Sequence, residues 1–283
     1  MRKKEKISSR EIGLVSALIL GKYLFKTSDL HYGWWPADLA VKPENISRAQ
    51  ENYSNFLISH IPSGVKTILD VGCGAGELAK KLFQHGYQVE GVSPARLLSR
   101  EAKKNVGEKF LIYEDKYENL QINKKYDLII FAESFQYIDL KCALEQTNHF
   151  LDTGGYFLIC DFFQTEAPGE SALGGGHRLS EFNQMIKNYP FSNIKDIDIT
   201  GYVAPNLQLV DEMLQTMGKP LWELLLFYLR NNHPLLTKLL EWKFRKKIEK
   251  IERKYFQGAR NAENFKIYKT YRLLLYQKIS TAA

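Results

Sequence analysis

Across residues 65–163, short apolar runs alternate with stretches whose apolar residues recur every three to four positions. Residues 66–71 read as a strand that passes straight into glycines, and 75–85 have helical spacing that stops at Gly86. Further strands are predicted over 87–92, 110–113, 126–131 and 156–160, with helices over 95–105 and 140–151 between them. The run 126–131 is apolar with little interruption, the pattern of a strand covered on both faces. This alternation predicts an α/β fold built on a doubly wound parallel sheet. Residues 164–177, rich in Gly, Pro and Ser, predict a long loop at a strand's carboxyl end, where open α/β sheets place their ligands. A helix near 178–188 and a strand near 193–200 follow, then helices over 206–256 and a last strand over 271–277. The expected organisation is a helical segment over 1–64 that covers the ligand site and a core over 65–205. A helical cap over 206–266 is inserted before the final strand, 267–283, of a seven-stranded sheet.

The amino terminus is basic and then apolar over 12–20. As a helix that run rises ~14 Å, about half of a ~30 Å hydrocarbon core, so it is too short to span a membrane. Lys22 and Lys26 follow closely and no small-x-small cleavage site appears, which argues against a signal peptide. The expectation is a helix that packs on the body or lies on a membrane surface.

With 45% hydrophobic and 25% charged residues in 283, the chain can bury one large core, and wholesale disorder is excluded. Cys73, Cys142 and Cys160 form no CxxC pair, which argues against a disulfide framework or zinc site and favours a reducing, cytoplasmic setting. The net charge of +7 divides into +4 over 1–10, +4 over 241–254 and −1 over the rest. A near-neutral body with two basic patches is not the footprint of a nucleic-acid protein, and makes both patches candidates for peripheral membrane contact.

The most specific signal is Asp70-Val-Gly72-Cys73-Gly74-Ala-Gly76, between the first predicted strand and the first helix. Glycines there let a ligand approach the backbone, and the helix N-terminus beyond offers free N–H donors. A dinucleotide fingerprint, G-x-G-x-x-G, would need its third glycine where Glu77 stands. Asp70 also places a carboxylate where a pyrophosphate would be repelled. Both features count against an NAD(P)-dependent reductase, the first alternative; a cofactor-binding scaffold without turnover is the second.

DVGCGAG at 70–76, YDLIIFAESFQYI at 126–138 and FLDTGGYFLICDFF at 150–163 resemble class I S-adenosylmethionine (SAM)-dependent methyltransferases in order and spacing. The nearest resemblance is to small-molecule and lipid methyltransferases of the tocopherol, sterol and cyclopropane-lipid type, whose aromatic segment before the glycine loop is matched by His31-Tyr32-Gly33-Trp34-Trp35. The resemblance implies a Rossmann-like sheet, SAM as cofactor with S-adenosylhomocysteine as product, no metal, and methyl transfer to carbon, oxygen or nitrogen of a small, apolar or lipid-like acceptor. It implies that Asp70 holds the methionine amino end and that the backbone of Gly72, Cys73 and Gly74 passes close to the cofactor. Ser93, followed by Pro94, stands where many relatives carry an acid for the ribose. Lys116 stands where an acid often meets adenine, leaving that contact to Tyr117. Glu133 keeps the acid of a Glu-Ser/Ala-x-x-His pattern whose histidine is here Tyr137; the resemblance counts it with the cofactor-binding residues, and it either orients substrate or assists proton removal, or is tied to backbone N–H groups at a helix start. His177, after three glycines, is either a general base on a lid or a helix cap. Tyr32 either closes over the methyl or packs, and the other histidines read as structural or exposed.

Overall fold

The computed structural model describes residues 8–169, 171 and 173–280. Its strands are β1 (Thr67–Val71), β2 (Gln88–Val92), β3 (Ile112–Tyr113), β4 (Tyr126–Ala132), β5 (Leu151–Gln164), β6 (Phe191–Asp198) and β7 (Lys269–Lys278). They form one sheet in the order β3-β2-β1-β4-β5-β7-β6. The first five pair in parallel, and β7 enters antiparallel between β5 and β6. This is the seven-stranded Rossmann-like sheet expected, with the strand order reversing at β1/β4, where such sheets open a ligand crevice.

Period-two alternation divides the core in two. Ile68, Val89, Leu128 and Ile130 pack with α2 (Ile46–Ser59), α3 (Glu77–Gln84) and Ala102 of α4 (Arg96–Val106). Leu69, Val71, Ile129 and Phe131 pack on the opposite face with α5 (Leu140–Phe150) and Phe182 of α6 (Leu179–Met185). β5 runs well past the predicted 156–160, because β7 supplies a partner from Tyr156 to Gln164.

At the amino end, α1 (Ser9–Leu20) begins at Ser8, whose Oγ accepts the Glu11 N–H at 3.1 Å. Leu14 and Leu18 pack on Ala75 and Leu98, so this helix lies against the start of α4. Residues 1–7 of the basic N-terminal patch lie outside the described residues. No described helix is long and apolar enough to cross a membrane.

Between β6 and β7 come α7 (Thr200–Val203), α8 (Pro205–Met213), α9 (Lys219–Asn232), α10 (Pro234–Tyr255) and α11 (Ala262–Tyr268). The insertion is placed as expected, but only its ends pack on the body. Leu207, Leu209 and Phe265 are buried, and the Asn206 amide clasps both backbone groups of Gly33 at 2.7–2.8 Å. By contrast, α9 has no buried residue and α10 only Thr237. None of residues 200–268 lines the central cleft.

Candidate active site

The carboxyl ends of β1, β2 and β4 open onto a cleft of about 510 Å³, roofed by α1 and residues 28–31. The glycine loop is shaped by three different needs. Gly72 has φ +81° and a Cβ there would collide with the Ser134 side chain; Gly76 has φ +83° and a Cβ would press on Ala102 and Val106 of α4. Gly74, at φ +53°, meets nothing closer than Leu30 at 3.8 Å, so its face is open to the cleft. Beneath the loop, Cys73 turns its Sγ into the core against Gly91, where a Cβ would come within 2.9 Å, and burial pushes its thiol up. Its backbone stays in the cleft wall.

Asp70, the penultimate residue of β1, lies opposite Gly91 and Ile130, is 2% exposed, and its Oδ2 has no hydrogen-bond partner. Burial raises its pKa to about 7, against a downward pull from His31. An orphaned buried oxygen beside an open cleft is a costly arrangement that a cationic ligand relieves. Across the cleft, Ser93 and Pro94 line the wall. Ser93 Oγ already accepts the Ala95 N–H at 3.2 Å, which leaves its hydroxyl proton to donate.

Glu133 follows β4 directly in a left-handed conformation, φ +57°, and lines the cleft. Its Oε1 accepts the Tyr32 N–H at 2.7 Å and the Tyr271 hydroxyl at 2.8 Å. Burial raises its pKa, against His31 and these two donors. Glu133 is therefore tied to a backbone N–H, at Tyr32 and not at a neighbouring helix start. Tyr32 is placed by that bond, and its ring, packed against the core beside α2, is absent from the cleft lining. Nearby Asp161 is buried, with its pKa raised to about 8 by burial and by Glu133, and is held by Gln136 and the Phe162 N–H.

Two expectations are corrected. Tyr117 lies in the core on the other face of the sheet, its hydroxyl 3.1 Å from Thr147 Oγ1, and does not reach the cleft; its neighbour Lys116 does. His177 stands outside the cleft lining, with Nε2 at 3.2 Å from the Phe135 carbonyl and its ring edge-on to Phe135. His31, read from the sequence as structural or exposed, is held in place by its neighbours. It lines the cleft, with Nδ1 2.8 Å from the Tyr32 carbonyl and Nε2 3.0 Å from Asp29 Oδ1. The carbonyl and the carboxylate are both acceptors and favour the doubly protonated ring, with the Ser54 hydroxyl also 3.3 Å from Nε2. Burial opposes that charge, but Asp29 outweighs it and the His31 pKa is raised; burial likewise pushes Asp29 up, but His31 and Lys81 hold it low. Lys81 Nζ reaches Asp29 at 3.5 Å and Ser54 at 2.9 Å, tying the segment to α2 and α3.

The sequence also gave no sign of Glu11 and Arg10. Glu11 Oε1 accepts the Leu97 N–H at 2.8 Å, placing a carboxylate at the N-terminus of α4. The Arg10 guanidinium lies 3.2 Å over the Tyr137 ring, closing that end of the cleft. Among the described residues no group of three or more His, Cys, Asp or Glu could hold a metal ion.

A family described as methyltransferase domain matches residues 47–245. The chain belongs to that family. An uncharacterised methyltransferase of Alkaliphilus oremlandii is 30% identical over 138 residues, which are 47% of this chain and 59% of the relative. The chain thus spans about three fifths of that relative's length. A geranyl diphosphate C-methyltransferase of Streptomyces coelicolor, solved with Mg2+, geranyl diphosphate and S-adenosyl-L-homocysteine, superposes with a TM-score of 0.62 at 16% identity, over 88% of this chain and 90% of that one. The cyclase SpnF superposes with a TM-score of 0.68 at 14% identity, over 96% of each chain. At these identities the methyltransferase domain shares an architecture with both, and the architecture alone does not choose a reaction.

Proposed function

We propose that this methyltransferase domain binds SAM in the cleft and transfers its methyl group to a small, apolar or lipid-like acceptor. The observation that carries the reading is the unpartnered Oδ2 of buried Asp70 near the end of β1. It fits the ammonium of a methionine moiety and opposes a pyrophosphate, which argues against the reductase. Gly72, Cys73 and Gly74 would pass their backbone along the cofactor, with Ser93 and Pro94 on the ribose side. When bound, SAM supplies a methyl already activated by its sulfonium, so the chain's part is alignment and exclusion of water, effects that reach ~7–11 kcal/mol. Arg10, Glu11 and the 28–31 segment would shield the cleft.

Glu133 orients the acceptor or takes its proton. Both donors converge on Oε1, so Oε2 is the oxygen that would meet the acceptor. The structures solved with S-adenosyl-L-homocysteine and geranyl diphosphate support an acceptor of small-molecule size. The test is transfer of label from methyl-labelled SAM to a panel of prenylated phenols, prenyl diphosphates, lipids and small amines. A labelled product that depends on Glu133 supports the reading; a folded chain that binds NADH in place of SAM overturns it.

A further inference from the structure

The α9–α10 hairpin is covered by nothing among the described residues. Its helices are fastened to each other by Thr237 Oγ1, which donates to the Leu229 carbonyl at 2.8 Å, and by Arg230 with Glu241 at 2.9 Å. On either side of the exposed polar turn Arg230-Asn231-Asn232-His233 the hairpin presents apolar side chains to water: Leu235 is 83% exposed, Trp242 78% and Phe227 66%. A water-exposed patch of this kind marks an interaction site. Charge then selects the partner. Helix α10 carries Lys238, Lys243, Arg245, Lys246, Lys247, Lys250, Arg253 and Lys254 against three acids. Each acid is already engaged within the hairpin: Glu241 with Arg230, Glu249 with Arg245 at 2.8 Å, and Glu252 by the Trp222 indole N–H at 3.3 Å. Lys243, Lys246, Lys247 and Lys250 have no carboxylate partner among the described residues.

The spacing is that of a wedge with a collar. From Leu235 to Lys243 the helix rises ~12 Å, close to the ~5–10 Å by which interfacial helices sink beneath lipid headgroups. Leu235 and Leu239 therefore go deepest, Trp242 sits at the headgroup boundary beside the lysines of 243–250, and Arg230 and Lys238 reach back to phosphate level on their aliphatic stems. We infer that the α9–α10 hairpin docks this protein on an anionic lipid surface, with the tip around Leu235, Leu239 and Trp242 inserted and the α10 lysines on lipid phosphates. A second copy is the poorer occupant, because a two-fold contact would bring two strongly cationic helices together. Neither helix lines the cleft, so docking and cofactor binding stand or fall separately.

The full chain is floated with vesicles of phosphatidylcholine alone or mixed with phosphatidylglycerol. Binding to the mixed vesicles only, weakened by salt and accompanied by a blue-shifted tryptophan emission that Trp242→Phe removes, is expected. Leu235→Glu with Leu239→Glu, and separately Lys243→Glu with Lys246→Glu and Lys247→Glu, should each lower partitioning at least ~10-fold while melting and SAM binding stay unchanged. Flotation with neither vesicle overturns the inference. So does equal flotation with both, or a dimer that Leu235→Glu dissolves in a chain that ignores vesicles.

Discussion

Two stretches of this chain are almost equally apolar and end in opposite environments. Leu128-Ile-Ile-Phe131 in β4 is fully buried at every position, while Leu224, Leu225, Phe227 and Tyr228 in α9 are all exposed. Local hydrophobicity predicted both elements correctly, but burial depends on what the topology brings alongside. β4 lies between β1 and β5 with helices on both faces, whereas α9 packs on α10 and on the segment 214–218 that precedes it and buries none of its residues. In the cleft region the packing is closed and an orphaned acid, Asp70, faces a cavity. In the hairpin the apolar surface itself is orphaned. The first asks for a cationic small molecule and the second for a surface.

The contrast breaks most sharply at Gly72. Gly72→Ala should abolish SAM binding and cost about 2 kcal/mol or more in folding stability, because it adds a collision with Ser134 to a left-handed φ. Gly74→Ala, facing the open cleft, should keep the fold while weakening binding; calorimetry and melting on both variants separate the cases. Asp70→Asn should lower SAM affinity by ~10- to 100-fold without unfolding the chain, since only a charge-assisted contact is removed.

The same residue sets a pH dependence. Asp70 has to be ionised to hold an ammonium, and its pKa in the free protein is raised to about 7. Affinity should therefore fall as pH drops below 7, by up to ~10-fold per unit, and should level off above it. The Asn variant should flatten the profile; a wild-type affinity independent of pH below 7 would remove Asp70 from the site. Glu133→Gln should leave SAM affinity within about twofold and reduce turnover ~10- to 100-fold; full turnover would leave Glu133 as a strut for Tyr32 and Tyr271. The smallest effect belongs to the hairpin: Leu235→Glu should shift stability by less than ~0.5 kcal/mol, as expected for a side chain packed on nothing.

What was legible in the sequence is what neighbours in sequence determine. The strand, glycine loop and helix over 66–85 form one local unit, which brings Asp70, Gly72 and Gly74 to the cleft, and the end of the next strand brings Ser93 and Pro94. What was not legible joins distant residues. Lys81 and Asp29 are 52 positions apart, Glu11 and Leu97 86, and Glu133 and Tyr271 138. No period or spacing relates such pairs. Tyr117 was misplaced for a similar reason: it starts a 3₁₀ turn (Tyr117–Asn119) that swings its ring under the sheet, while Lys116 one residue earlier stays in the cleft. His177 has the glycine hinge that suggested a lid, yet its ring is held by the Phe135 carbonyl. The apolar stripe of 206–256 announced helices without saying what they cover.

The central claim is that the cleft is a SAM site organised around Asp70. It is tested most directly by calorimetric titration of the purified chain with SAM, with NADH as the control ligand and the Asp70→Asn variant alongside. Saturable one-site binding of SAM, its loss or marked weakening in the variant, and no binding of NADH are expected. A folded chain that gives no SAM signal, or one that binds NADH in its place, would contradict that claim.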